Sequence, residues 1–108
     1  MNGEGERAGR KEALFREVNE EVRDLADHAG ALPDQVGFVC ECSDEGCSER
    51  VQVPLAVYEE TRSYPRRFIV APGHEGGHEH VVSRSTGYVI VEKDGEAARV
   101  AAETDPRG

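Results

Sequence analysis

The segment FVCECSDEGCSERVQV, residues 38–53, holds all three cysteines of a 108-residue chain, and its reading decides the fold. VGFVCEC (36–42) is a short β-type run that opens into the turn-forming SDEG. CSERVQV (47–53) follows, with Val51 and Val53 alternating against Arg50 and Gln52. Two such strands joined by a tight turn predict a hairpin. Residues two apart on a strand point to the same face, so Cys40 and Cys42 present sulfur to one point beside the sheet. The turn, with Gly46 supplying backbone freedom, folds Cys47 back toward them.

Three converging sulfurs in a C-x-C-x4-C arrangement are a partial tetrahedral site for zinc, which takes Cys and His ligands and closes its sphere with a fourth when the site is structural. The chain has no fourth cysteine, and its histidines are His28, His74, His78 and His80. His74 directly follows Pro72-Gly73 at the end of a predicted strand, so a turn presents it, and it is the preferred fourth ligand. His78 and His80 are the alternatives. Two other readings of the cysteines stand beside zinc: small buried apolar groups, and a thiol redox switch.

His74 also opens HEGGH (74–78), a match to the H-E-x-x-H pattern of zinc-dependent hydrolases. That chemistry needs a helix that turns both histidines to one metal while the glutamate activates its water. Here Pro72-Gly73 precede the pattern, and each glycine at 76 and 77 would cost a helix about 1 kcal/mol relative to Ala. A zinc hydrolase is therefore a minor alternative, and no catalytic residue is assigned. His74, His78 and His80 as a separate weak metal site is another minor alternative. Cys47 with His74 is a better ligand pair than nucleophile and base, and Glu59-Glu60 reads as a solvated helix face.

Working outward, Leu14, Val18, Val22, Leu25 and Ala29 recur at helical spacing over 10–28, widened by Phe15 and Ala26, which predicts a long amphipathic helix. Gly30 and Pro33 end it. After the hairpin, Pro54 starts a short helix over 55–63 with Leu55, Tyr58 and Thr61 facing inward. RFIVAP is a third strand, and HVVSR and YVIVEK are two more, joined by Ser85, Thr86 and Gly87. DGEAARVAAETDPRG begins as a short helix and becomes a tail. The expected fold is α+β: two main helices and a small, mainly antiparallel sheet of about five strands around a zinc site. Residues 1–10 read as a flexible arm, 11–103 as one domain and 104–108 as a flexible tail.

Composition narrows the function classes. The chain is 37% apolar with no Trp, a modest core of the kind that recruits a metal for stability. Its 22 acidic residues against 13 basic give a charge of -9, which argues against nucleic acid as the main ligand. Arg62, Arg66 and Arg67 are the local basic cluster, read as a solvated rim. No apolar run is long enough to span a membrane, and the start lacks a signal peptide's apolar core. The cytoplasm, where thiols stay reduced, is the expected location.

ALFREVNEEV, the cysteine segment through PGHE, and VVSRSTGYVIVEK together resemble an uncharacterised family of small, acidic bacterial proteins that share a C-x-C-x4-C segment and a Pro-Gly-His-Glu turn. The resemblance covers residues 12 to about 106 and implies one joint site of Cys40, Cys42, Cys47 and His74. It carries no activity. The expected function is a small non-catalytic zinc-binding domain, serving as a protein-interaction or regulatory module, with a homodimer through the N-terminal helix as one form of partnership. A redox or metal-responsive switch is the alternative.

Overall fold

The computed structural model describes residues 3–29, 36–44 and 46–107. Its elements run α1 (Gly3–Ala29), β1 (Val36–Val39), β2 (Arg50–Val53), α2 (Leu55–Arg62), β3 (Arg67–Val70), β4 (Glu79–Arg84), β5 (Val89–Lys93) and α3 (Gly95–Glu103). The fold is α+β with five antiparallel strands, arranged as two sheets of order β1-β2 and β3-β5-β4. The helix stop assigned to Gly30 and Pro33 lies outside the described residues. At its other end α1 begins at Gly3, inside the segment read as an arm.

The predicted hairpin forms with Val36 opposite Val53 and Val39 opposite Arg50. Regular pairing ends at Val39, but the Cys40 N–H still donates to the Glu49 carbonyl at 2.8 Å, which extends the ladder by one pair. One residue further on, the Glu41 N–H donates to the Ile69 carbonyl of β3 at 2.7 Å. This bond joins the two sheets. Pro54 ends β2 and caps α2, whose Tyr58 and Thr61 are buried as expected. The Tyr58 ring stacks on Phe38 with centroids 4.1 Å apart. Phe38, Val53, Phe68, Ile69, Val70, Val89 and Val91 belong to the same core, each contributing about 1.5–3 kcal/mol on full burial. β4 and β5 form the expected hairpin, with a bulge between Val81 and Ser83 that leaves Val82 exposed on the sheet edge.

The inward face of α1 differs from the sequence expectation. Leu14 is 54% and Leu25 70% exposed, so these two members of the expected stripe point to solvent. Among residues 9–28, the buried positions of the helix are Glu12, Arg16 and Asn19, which share one face by helical spacing. Val22 and Ala26 border that face and pack on the core. Arg16 places its guanidinium 4.4 Å from the centre of the Phe68 ring and donates to the carbonyls of Pro65 and Ala101 at 2.7 and 2.6 Å. Glu12 meets the buried Lys93 ammonium at 2.6 Å, and Glu79 meets it from β4. Burial lowers the Lys93 pKa, but the two carboxylates outweigh it and hold the ammonium above the usual lysine range.

Asn19 acts as a stand-in for a strand: its side-chain N–H donates to the Val39 carbonyl at 2.9 Å, and its carbonyl accepts the Val39 N–H at 2.8 Å. It also donates to Glu41, whose carboxylate is fully buried. Arg62 donates both terminal nitrogens to the same carboxylate at 3.0 and 3.1 Å, and the Ile69 N–H adds 2.9 Å. The solvated-rim reading of Arg62 is therefore corrected: it is 2% exposed, and the Glu41 carboxylate supplies the counter-charge that lets it be buried. Arg67 pairs with Glu92 instead, and Arg66 is exposed. In the segment read as a tail, Arg107 reaches Glu20 at 2.7 Å and Glu59 at 3.0 Å, so Glu59 is an ion-pair partner and not simply a solvated acid.

Glu41→Ala leaves a buried guanidinium without its counter-charge. It should lower the free energy of unfolding by about 3–5 kcal/mol, measured as the shift of the urea midpoint, and Glu41→Gln should recover part of that loss by keeping an acceptor. An alanine variant with the wild-type midpoint would remove Glu41 from this role.

Candidate metal centre

Strand alternation shapes the centre. With the Glu41 side chain turned into the core, its neighbours Cys40 and Cys42 turn to the opposite face. The turn after Cys42 is held by Asp44, whose carboxylate accepts the Gly46 N–H at 3.0 Å and whose carbonyl accepts the Cys47 N–H at 3.0 Å. It returns Cys47 to the two earlier cysteines, and all three thiols are free and buried.

His74 arrives from the connection between β3 and β4. Its N–H donates to the Ala71 carbonyl at 3.0 Å, across a turn with Pro72 in the second position and Gly73 in the third. Gly73 has φ +88°, the left-handed value that the third position of a type II turn demands. Cys40, Cys42, Cys47 and His74 thereby come together with their ligand atoms all within 4.8 Å of one another.

The separations fit a metal ion. A tetrahedral ion with sulfur at about 2.3 Å and nitrogen at 2.0–2.1 Å places the nitrogen about 3.6 Å from each sulfur. His74 Nδ1 lies 3.5 Å from Cys47 Sγ and 3.7 Å from Cys40 Sγ. Its other nitrogen, Nε2, faces the Glu49 carboxylate at 3.2 Å, the carboxylate–histidine pairing that fixes which ring nitrogen faces a metal. Glu49 is positioned for this by the ladder bond between its carbonyl and Cys40. The sulfurs have their own donors: the Ala71 N–H lies 3.1 Å from Cys40 Sγ, and Lys11 Nζ of α1 lies 3.6 Å from Cys42 Sγ and 2.7 Å from the Cys42 carbonyl.

Burial pushes the Cys40 thiol up to about 12, so a bound ion must displace its proton. Hydrogen bonding to Cys42, opposed by desolvation and aided by Glu49, holds His74 above the usual histidine range. An open cleft of ≈340 Å³ lined by Cys42, Ser43, Asp44 and residues 73–76 adjoins the cluster.

The other histidines stay apart. Residues 74–78 are not helical, so HEGGH does not bring His74 and His78 to one metal. His78 is exposed, and His80 pairs with Asp94 at 2.8 Å on the surface. Glu75, the residue a hydrolase would use on metal-bound water, is paired with Arg84 at 2.6 Å. The loop after His74 is anchored by the Gly76 N–H, which donates to the buried Glu79 carboxylate at 2.7 Å.

Sequence reading missed Glu49 and Lys11. Glu49 was legible in principle, since extending the hairpin register by one pair places it opposite Cys40, whereas no local signal ties Lys11 to Cys42. Glu49→Gln should weaken metal binding about tenfold, measured by competition with a chelator of known affinity. Unchanged affinity would show that the contact to His74 does not orient the ring. Comparison of the chain with protein-family models, with curated proteins and with solved structures finds no match.

Proposed function

We propose that the chain is a small non-catalytic zinc-binding domain in which Cys40, Cys42, Cys47 and His74 hold one ion and tie the β1–β2 hairpin to the end of β3. The observation that carries this reading is the Cys3His cluster with His74 Nδ1 at zinc-ligand spacing from two sulfurs. Three thiolates and an imidazole in tetrahedral disposition are the donor set that zinc selects among biological divalent ions. Four protein ligands also leave a tetrahedral ion no position for a water or a substrate, which supports a structural ion over a catalytic one.

Its role is then interaction, and α1 offers the surface. Leu14 and Leu25 are exposed on a face shared with exposed Glu17 and Glu21, and Asp24 is exposed beside them. A second copy would bring like charges together, so the charge favours a basic protein partner over the homodimer. No helix among the described residues is long and apolar enough to cross a membrane.

A second reading, a thiol-based redox or metal-responsive switch, draws support from the cleft that opens beside Cys42. Mild peroxide separates the two: zinc retained through the treatment with partner binding unchanged sinks the switch, and zinc release that a thiol reductant and added zinc reverse sinks the purely structural role.

Elemental analysis of the native protein should find about one zinc per chain. His74→Ala should lose the metal and His78→Ala should keep it. The reverse pattern would displace His74 as fourth ligand, and a wild type without metal would overturn the zinc reading.

A further inference from the structure

We infer that Lys11 is the outer partner of the metal centre, balancing its charge and shielding the Cys42 sulfur, so that α1 sets how readily this site reacts with soft electrophiles. The inference rests on the zinc reading above and adds to it a residue from a distant helix.

Charge comes first. Three thiolates and a neutral imidazole around a divalent ion leave one net negative charge, inside a chain that is already strongly acidic. Around the cluster, Glu49 faces His74 and Asp44 sits in the cysteine turn, so the nearby side-chain carboxylates add to the negative field. Among the described residues, Lys11 is the cation that meets this field at the sulfurs. Its ammonium is fixed by the Cys42 carbonyl at 2.7 Å and lies 3.6 Å from Cys42 Sγ, while the Phe15 ring, 4.5 Å away, flanks it on the same helix.

Position comes second. Of the three cysteines, Cys42 is the one that lines the cleft beside the centre, and it is itself buried, at 3% exposure against 8% for Cys47. Cys40 is fully buried and takes the Ala71 N–H, whereas Cys47 does not line that cleft. A donor on a metal-bound thiolate withdraws electron density from sulfur and lowers its nucleophilicity. Lys11 therefore sits on the sulfur of the one ligand cysteine that borders the cleft.

Reaction with iodoacetamide makes the consequence measurable. The Cys42 sulfur lone pair forms a bond to the reagent's carbon, and iodide leaves with the electrons of the carbon–iodine bond. The thiolate becomes a neutral thioether, a poor zinc ligand, and the ion is released.

The test compares zinc-loaded wild type, Lys11→Gln and Lys11→Arg under limiting iodoacetamide. Zinc release is followed with a colorimetric chelator, and the label on each cysteine is mapped by peptide mass spectrometry. Lys11→Gln should raise labelling of Cys42 relative to Cys47 and speed zinc release by about tenfold, and Lys11→Arg should stay near wild type. The Cys47 label among singly alkylated molecules is the internal control, since general loosening of the fold raises both. Equal change at all three cysteines, or none, overturns the proposal. A fall confined to Cys42 overturns it too, because Lys11 would then be promoting a metal-free thiolate. A wild type that never loads zinc sinks the zinc reading and this inference together, whereas a loaded wild type with an indifferent Lys11→Gln sinks the inference alone.

Discussion

A carboxylate taken wholly out of water must have each of its lone pairs answered, and the tertiary structure is organised around meeting that demand at Glu41. Its donors come from three elements: Asn19 on α1, Arg62 at the end of α2 and the Ile69 N–H on β3. None of the three is optional, because a buried ion with a missing partner costs more than the pair contributes. Meeting the demand fixes how both helices approach the sheets. It also places the Glu41 backbone beside Ile69, where the bond between the two sheets forms.

The Cys3His cluster is the other side of the same residue. Alternation along an extended chain sends the Glu41 carboxylate to one side and the sulfurs of Cys40 and Cys42 to the other, where they too are buried. The core network and the cysteine cluster therefore share one short backbone segment, and order in either is order in both. Gly73 serves the cluster from the other direction, since its left-handed backbone lets the chain leaving β3 turn back and deliver His74. The ladder bond from Cys40 sets Glu49 at the far side of the imidazole. Each ligand is thus placed by hydrogen bonds of the fold.

Legibility in the sequence followed the range of the interaction. The β1–β2 hairpin, the Pro54 boundary, the β4–β5 hairpin and the turn before His74 were readable because each is encoded within a few residues by turn chemistry or period-two alternation. The orientation of α1 was not. Leu14 and Leu25 looked like a core-facing stripe under the rule that apolar residues point inward, yet the buried face is Glu12, Arg16 and Asn19. That rule presumes a polar residue has nothing to bury against. Here Lys93 and Glu41, far along the chain, supply the partners that make a polar face buriable. Arg62 was misread for the same reason.

The sequence by itself determined the strands, the short helix, the clustering of three cysteines and the turn that presents His74, because spacing and backbone preference act locally. Only the tertiary structure decided which face of α1 goes inward, that Arg62 and Glu41 neutralise each other in the core, and that Lys11 and Glu49 stand beside the cluster. The physical reason is that a charge or an amide is buried only when its complement arrives, and arrival is a property of the whole fold.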